Sequence, residues 1–137
     1  MKFKFFETEG SRQTNALIRG VERKIFTWMS DPAAGRYLEI GNSRSIVQLV
    51  LRKHMLPDPS RGGILNGVAL AQITVGRAHR RKGIANKIID FLKHSARETG
   101  LDFVLIEQVS SPAMEALVSR RTDFTALRGG PSYIWYA

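Results

Sequence analysis

The residues best suited to chemistry lie between Val75 and Ala85, where a glycine and several basic side chains separate an apolar run from an amphipathic one. Gly83 stands directly before the amphipathic run, and Arg80 stands three residues before Gly83. The first N–H groups of a helix are unpaired and carry a partial positive charge, so they bind anions, and phosphates above all. Gly83 would let a phosphate reach the backbone with no Cβ in the way. The segment predicts a phosphate site, while the residue types alone are equally compatible with a solvated basic helix end.

The elements that flank this loop are predicted from their hydrophobic patterns. Residues 64–75 form a long apolar run, which is typical of a central strand buried on both faces. Apolar residues at steps of 3 and 4 over 84–99 predict a helix, and Gly100 stands where a C-cap glycine belongs. Residues 101–109 predict a second buried strand. Strand, loop, helix and strand in this order make a βαβ unit, whose two strands are parallel and joined by a right-handed crossover.

The rest of the chain predicts a mixed α/β fold in a single domain covering residues 1–137. Apolar spacing over 14–29 predicts a first helix, which Gly20 could divide in two. A serine followed by a proline predicts the start of a last helix over 112–121. The remaining elements are a first strand at 2–7, a turn at 9–11, a hairpin of strands at 37–40 and 45–54, a loop at 55–63, and closing strands at 123–126 and 133–136.

The composition excludes several kinds of site. Because the chain has no cysteine, disulfides, thiolate metal sites and a cysteine nucleophile are excluded. Three scattered histidines give no metal-ligand spacing, so no metal is expected. The sequence shows neither a signal peptide nor a run of about 20 apolar residues, which predicts a cytoplasmic protein without membrane association. The net charge of +9 indicates an anionic partner, either nucleic acid or a phosphate-bearing cofactor.

The basic segment resembles motif A of the GCN5-related N-acetyltransferase (GNAT) superfamily, whose core is Arg/Gln-x-x-Gly-x-Gly/Ala. Arg80, Gly83 and Ala85 fit this core, and its position between a buried strand and a helix fits as well. Phe124, after the predicted last helix, resembles the phenylalanine of the family's Gly-Phe element, although Asp123 stands in place of the glycine. The resemblance covers the second half of the chain and extends to the first half in element order only.

The resemblance implies a GNAT-like acyl-CoA N-acyltransferase fold, in which a mixed sheet is splayed beside the central βαβ unit. It implies acetyl-CoA as the acyl donor, with pantetheine paired to the strand end at Ile73, Thr74 and Val75. A backbone N–H of this strand end would polarise the thioester carbonyl. The implied pyrophosphate site consists of the loop and the first turn of the helix, namely Arg80, Arg81, Lys82, Gly83, Ile84 and Ala85.

The catalytic residues are less well defined than the cofactor site. Family members often carry a tyrosine on the last helix that protonates the leaving thiolate, and the corresponding position here is Ser119. An amine substrate arrives protonated and needs a base, for which Glu107 on the second buried strand is the leading candidate and Glu39 the second. The alternative for Glu107 is an ion pair with an arginine such as Arg120 or Arg121. Three further side chains stay open as a general acid or a cofactor contact: Tyr133, Tyr136 and His79.

The expected function is acetyl transfer from acetyl-CoA to a primary amine by direct attack, with no covalent enzyme intermediate. The sequence does not identify the amine acceptor, and a protein or an RNA-associated amine is compatible with the basic charge. The alternative is a GNAT-like module with weak or no catalysis, whose basic surface binds nucleic acid or a partner protein. Aromatic residues on the closing strands are compatible with a homodimer.

Overall fold

The computed structural model describes residues 9–80, 83–107, 109 and 111–137. These residues form three α-helices and one six-stranded sheet, with short 3-10 turns at Arg77–His79 and Leu127–Gly129. The elements in chain order are α1 (Glu9–Ser30), β1 (Tyr37–Ile40), β2 (Val47–Pro57), β3 (Ile64–Val75), α2 (Ile84–Thr99), β4 (Phe103–Ile106), α3 (Pro112–Ser119), β5 (Thr125–Ala126) and β6 (Tyr133–Tyr136).

The sheet is mixed, with the strand order β1-β2-β3-β4-β6-β5. Strands β3 and β4 are parallel, whereas the other neighbouring pairs are antiparallel. Because α2 joins the two parallel strands, the predicted βαβ unit is confirmed, and both β3 and α2 have the predicted bounds. Gly100 ends α2 with a φ of 74°, and its N–H donates to the carbonyl oxygens of Ala96 and Arg97. This left-handed geometry is the reason a glycine stands there.

The two faces of the sheet pack differently. Alternate residues of β2 are buried on one face, where they meet the apolar sides of α1 and α2, including Ile25 and Ile88. On the opposite face, Phe103 is fully buried in a smaller cluster that also contains Ala69, Leu105 and Ile134. Gly67 stands beside Phe103 in the parallel register, and a Cβ on it would lie 2.5 Å from the Phe103 ring. The absence of a side chain at Gly67 therefore makes room for this ring.

The first helix is longer than the sequence predicts. It is continuous over 22 residues, so the turn predicted at 9–11 and the division predicted at Gly20 are wrong. A glycine inside a helix costs about 1 kcal/mol relative to alanine. Burial of apolar side chains on both sides of it, such as Ile18 and Ile25, outweighs this cost. The strand predicted at 2–7 lies outside the described residues.

Other bounds differ where tertiary contacts extend or end an element. β2 continues through Pro57 in pairing with β3, so part of the loop predicted at 55–63 belongs to the hairpin. β4 occupies only the middle of the strand predicted at 101–109, because its pairing with β3 ends at Ile106. α3 ends at Ser119, slightly earlier than predicted. Glu107 consequently lies just past a strand rather than within it.

Candidate active site

Strands β3 and β4 lie side by side only along part of β3. Their parallel register ends with Leu70 beside Ile106, and the N–H of Glu107 then donates to the Leu70 carbonyl oxygen at 3.0 Å. β3 continues as far as Val75 while paired with β2 on its other edge. The sheet therefore opens between the end of β3 and the chain that follows β4.

A β-bulge marks the point where the sheet opens. Leu51 faces Leu70 across the β2–β3 ladder and Val50 faces Gln72, so Ala71 is an extra residue on β3. A bulge bends its strand and changes the direction of the following backbone groups, and bulges are frequent beside active sites. Here the bulge lies at the start of the unpaired edge.

Past the bulge, β3 turns its polar backbone groups alternately toward β2 and toward the opening. The N–H of Gly76 donates to the carbonyl oxygen of Ile46 at the β2 side, at 2.7 Å. Since successive residues of a strand direct their N–H and C=O groups to opposite edges, those of Val75 and Ile73 point toward the opening and those of Thr74 toward β2. The opening is thus lined by an extended edge that can bind an extended ligand.

A cavity of about 160 Å³ lies in this opening. Its walls come from the end of β3, the residues after β4 and the first turn of α3: Leu70, Ala71, Gln72, Ile73, Ile106, Glu107, Val109, Ser111 and Met114. Most of these side chains are apolar, and Gln72, Glu107 and Ser111 supply the polar groups. Apolar side chains together with a few polar groups are typical of a small-molecule site.

The opening leads to the N-terminus of α2. Gly83, the N-cap residue, has a φ of 73°, and no heavy atom of a described residue outside its chain neighbours lies within 4 Å of the position that a Cβ would take. Within the described part of the chain no side chain caps this end of the helix, and its first turn holds no acidic residue. The N–H groups of the first turn, including those of Ile84 and Ala85, therefore have no side-chain acceptor from the N-cap. This arrangement suits an anionic ligand.

The loop before Gly83 is tied to the end of β3. Arg80 donates from Nε to the carbonyl oxygen of Val75 at 3.0 Å, and its side chain is otherwise exposed. His79, in the 3-10 turn, has a buried Nδ1 without a hydrogen-bond partner among the described residues. Arg81 and Lys82, the other predicted phosphate ligands, lie outside the described residues. In the described part of the loop, Arg80 thus lies against the strand end.

Glu107 forms an ion pair at the edge of the cavity. Arg52 donates to its Oε1 atom from Nε, at 3.1 Å, and from Nη2. The two side chains are 18% and 19% exposed. The partner is therefore neither Arg120 nor Arg121, which were the sequence-based alternatives, and Arg121 instead binds Asp123. Both bonds from Arg52 reach Oε1, and no described residue donates a hydrogen bond to Oε2.

Arg52 belongs to a row of side chains on the sheet face opposite the main core. His54, two residues along β2, makes an edge contact with Phe103, with 6.2 Å between ring centroids. Burial lowers the pKa of His54, and the charges of Arg52 and Arg36 lower it further, while Glu107 opposes them. The imidazole is therefore neutral at pH 7. Strand alternation could have shown that Arg52 and His54 share a face, but not that Arg52 reaches Glu107.

The predicted acid Ser119 lies apart from the cavity wall. It is exposed at the end of α3, and its hydroxyl donates to the carbonyl oxygen of Ala116 at 3.0 Å. Ser111, at the other end of α3, does line the cavity, and its hydroxyl caps the helix by accepting the N–H of Met114 at 3.2 Å. The structure thus brings Glu107 to the cavity wall together with Ser111.

The other side chains considered as acid or base also lie away from the cavity wall. Glu39 is exposed on β1, at the edge of the sheet. Tyr133 packs against the main core, and Tyr136 is 46% exposed at the end of β6. Among the described residues, Glu107 is the one carboxylate in the cavity wall.

The described part of the chain holds no group of three or more histidine and acidic side chains that could bind a metal ion. None of its helices has the length and apolar character needed to cross a membrane.

No protein-family model matches the sequence, and no curated protein matches it either. The structure, in contrast, is similar to several solved structures. A mutant AtaT toxin bound to the C-terminus of the antitoxin AtaR and acetyl-CoA has a TM-score of 0.50 and 11% identity, over 66% of this chain and 58% of the toxin chain. The KacTA–DNA complex has a TM-score of 0.53 and 14% identity, over 98% and 87% of the two chains. The NatC complex bound to Gag peptide and CoA has a TM-score of 0.52 and 15% identity, over 88% and 79%.

These similarities establish the fold of the chain. With its six-stranded mixed sheet, it has the fold of GNAT acyl-CoA N-acyltransferases, as the resemblance of the basic loop implied. The matched part spans less than two thirds of the AtaT chain. At identities of 11–15%, the similarity shows the architecture and leaves the activity to be argued from the site.

Proposed function

We propose that this protein is an N-acetyltransferase that transfers the acetyl group of acetyl-CoA to a primary amine. The observation that carries the proposal is that β3 runs beyond its last pairing with β4, at Leu70, toward the helix end at Gly83, which no described side chain caps. Acetyl-CoA has a matching shape, since an extended pantetheine arm separates its thioester from its pyrophosphate. The presence of acetyl-CoA in the AtaT structure and of CoA in the NatC structure supports the proposal.

In the proposed complex, the pantetheine arm lies beside the end of β3. Its amide groups pair with the backbone of Ile73, Thr74 and Val75, chiefly with the polar groups that face the opening, much as an added strand would. The pyrophosphate is held at the start of α2 by backbone N–H groups and nearby cations. The residues proposed for this role are Arg80, Arg81, Lys82, Gly83, Ile84 and Ala85.

The proposed reaction is a direct acyl transfer. The amine nitrogen attacks the thioester carbonyl carbon, the C–S bond breaks, and the thiolate of CoA leaves and takes up a proton. A backbone N–H at the opening, such as that of Ile73, stabilises the carbonyl oxygen as negative charge develops on it. Glu107 accepts the proton of the ammonium group, directly or through water. The exposed position of Ser119 favours water over this hydroxyl as the proton donor to the thiolate.

The cofactor site can be tested with two nearly isosteric substitutions at Gly83. Asparagine and aspartate both tolerate the left-handed backbone that Gly83 adopts, so Gly83→Asn and Gly83→Asp differ mainly in charge. Calorimetric titration with acetyl-CoA should give binding by the wild type and by Gly83→Asn. Repulsion of the pyrophosphate should weaken binding to Gly83→Asp by at least about tenfold relative to Gly83→Asn.

Thermal melting of the three proteins serves as the folding control. Equal affinity of the folded Gly83→Asp and Gly83→Asn proteins for acetyl-CoA would show that the pyrophosphate does not bind at the start of α2. If the folded wild type bound no acetyl-CoA at millimolar concentration, the proposed enzymatic function would be wrong.

The ion pair of Glu107 favours a second candidate function. A carboxylate whose Oε1 atom already accepts two hydrogen bonds from Arg52 has only its other oxygen to offer a substrate, and the net charge of +9 suits an anionic partner. A catalytically inactive module of this fold would bind nucleic acid or a partner protein, and AtaT and KacTA are seen with an antitoxin segment and with DNA respectively. Binding of a mixed-sequence DNA duplex that weakens steeply with salt, in a protein that binds no acetyl-CoA, would support this candidate.

A further inference from the structure

Arg52 reaches Glu107 across the middle of the sheet. Arg52 faces Ala69 in the β2–β3 register, Ala69 faces Leu105 in the β3–β4 register, and Glu107 follows two residues later. Ala69 is small and fully buried, so the long arginine side chain can pass over β3 at this position. The guanidinium group consequently lies beside the carboxylate that forms part of the cavity wall.

In this ion pair, the guanidinium group of Arg52 and the carboxylate of Glu107 each keep one atom that no described residue binds. Arg52 directs Nε and Nη2 to the same oxygen, Oε1. Its Nη1 atom makes no hydrogen bond to a described residue, and Oε2 of Glu107 accepts none from this part of the chain. Because a guanidinium has five N–H donors and a carboxylate has two acceptor oxygens, each partner can bind one more group of opposite charge.

The positive charge of a simple ammonium group would be poorly neutralised beside this ion pair. Its ammonium group would share the carboxylate of Glu107 with Arg52, so two cations would meet one carboxylate that is 19% exposed. Arg36 adds another positive charge near His54, which is itself neutral at pH 7 because its pKa is lowered by burial and by these arginines. Glu39, on the same face, is exposed at the sheet edge and forms no ion pair with a described residue.

We infer that the acceptor carries an anionic group, a carboxylate or a phosphate, a few bonds away from its amine. Glu107 binds the amine through Oε2, and Arg52 binds the anionic group through its free N–H groups. The positive charge of Arg52 beside the amine also favours release of the proton that must leave before attack. The inference rests on the proposed acetyl transfer for the nature of the reaction, whereas the recognition itself is a binding property.

Three amines of similar length test this inference: propylamine, β-alanine and 2-aminoethyl phosphate. Their binding to the protein is measured by ligand-observed NMR both without CoA and with it, and acetylation is measured as kcat/KM with acetyl-CoA. One charge-assisted interaction should favour an anionic amine over propylamine by about 10- to 100-fold. Comparison of β-alanine with 2-aminoethyl phosphate identifies the preferred anion.

Variants connect the preference to Arg52. In Arg52→Gln, the affinities and the kcat/KM values for the three amines should lie within about threefold of one another. Arg52→Lys should restore part of the preference for the anionic amines, because lysine keeps the charge without the planar fork of the guanidinium group. Arg120→Gln, an exposed position at the end of α3, removes the same charge and should leave the preference unchanged. Thermal melting confirms that each variant is folded.

The outcomes separate this inference from the proposed function. Failure of acetyl-CoA to bind contradicts the proposed function alone, because amine binding is measured independently. Equal binding of propylamine and both anionic amines would overturn the inference, as would a preference that survives Arg52→Gln. Failure of both anionic amines to bind would also overturn it.

Discussion

Replacement of Gly67 by alanine should destabilise the protein, although alanine is ordinarily the better residue in a strand. Glycine in a strand interior costs roughly 0.5–1 kcal/mol relative to alanine, so without a steric conflict the substitution would stabilise. A Cβ at Gly67, however, would lie 2.5–2.6 Å from three atoms of the Phe103 ring. The sign of the change in unfolding free energy therefore tests the packing of this ring.

The expected magnitude follows from the geometry of the contact. Carbon atoms pack favourably at about 3.5–4.0 Å, so the ring and the strand must separate by about 1 Å. Phe103 is fully buried and makes an edge contact with His54, so the ring has little room to move. Overpacking of a core typically costs about 1–3 kcal/mol, and we expect the upper end of this range. The midpoint of thermal unfolding should fall by about 10 °C.

Urea unfolding of four proteins measures this effect: wild type, Gly67→Ala, Phe103→Leu and the double variant. If the ring causes the destabilisation, the alanine should cost at least about 1 kcal/mol less in the Phe103→Leu background. A Gly67→Ala protein as stable as the wild type would refute the packing described here. An equal cost in both backgrounds would assign the destabilisation to something other than Phe103.

Two further predictions concern stability. Gly20→Ala should raise the unfolding free energy by about 0.5–1 kcal/mol, because Gly20 lies inside α1 and no described atom outside the helix's own backbone and its chain neighbours lies within 4 Å of its Cβ position. Urea unfolding that shows no gain would contradict this. Hydrogen bonds from Arg121 hold the pKa of Asp123 well below its usual range, with Lys93 adding to the effect. The carboxylate therefore stabilises the fold fully above about pH 4, and this contribution is lost as the pH falls toward the lower folded-state pKa. Asp123→Asn should lower the unfolding free energy at pH 7 and make it fall less steeply than that of the wild type between about pH 5 and pH 2. If the unfolding free energies of the two proteins changed in parallel with pH, the contribution assigned to this ion pair would be wrong.

Features that depend on neighbouring residues could be predicted from the sequence. The bounds of β3 and α2 follow from an apolar run and a helical spacing, and Gly100 follows from the left-handed geometry of a helix end. The resemblance of Arg80, Gly83 and Ala85 to a family motif predicted the fold, which the structure confirms. The errors at Gly20 and in the loop after β2 arose where packing or pairing overrode a local signal.

Features of the candidate site that depend on distant residues could not be predicted in this way. Arg52 and Glu107 are 55 positions apart, and their contact depends on the registers of two strand pairs at once. The same registers place the bulge at Ala71 and end the pairing of β3 with β4 at Leu70. No local pattern indicates where two parallel strands part.

The sequence by itself thus determined the βαβ unit, the basic loop and the glycine at the start of α2, because chain geometry and hydrophobic period act over a few residues. The tertiary structure alone decided that the sheet opens beside Ile73, that Ser119 lies away from the cavity, and that Glu107 is bound by Arg52. Those outcomes depend on how the sheet assembles, since a change of one residue in register would turn Arg52 to the other face.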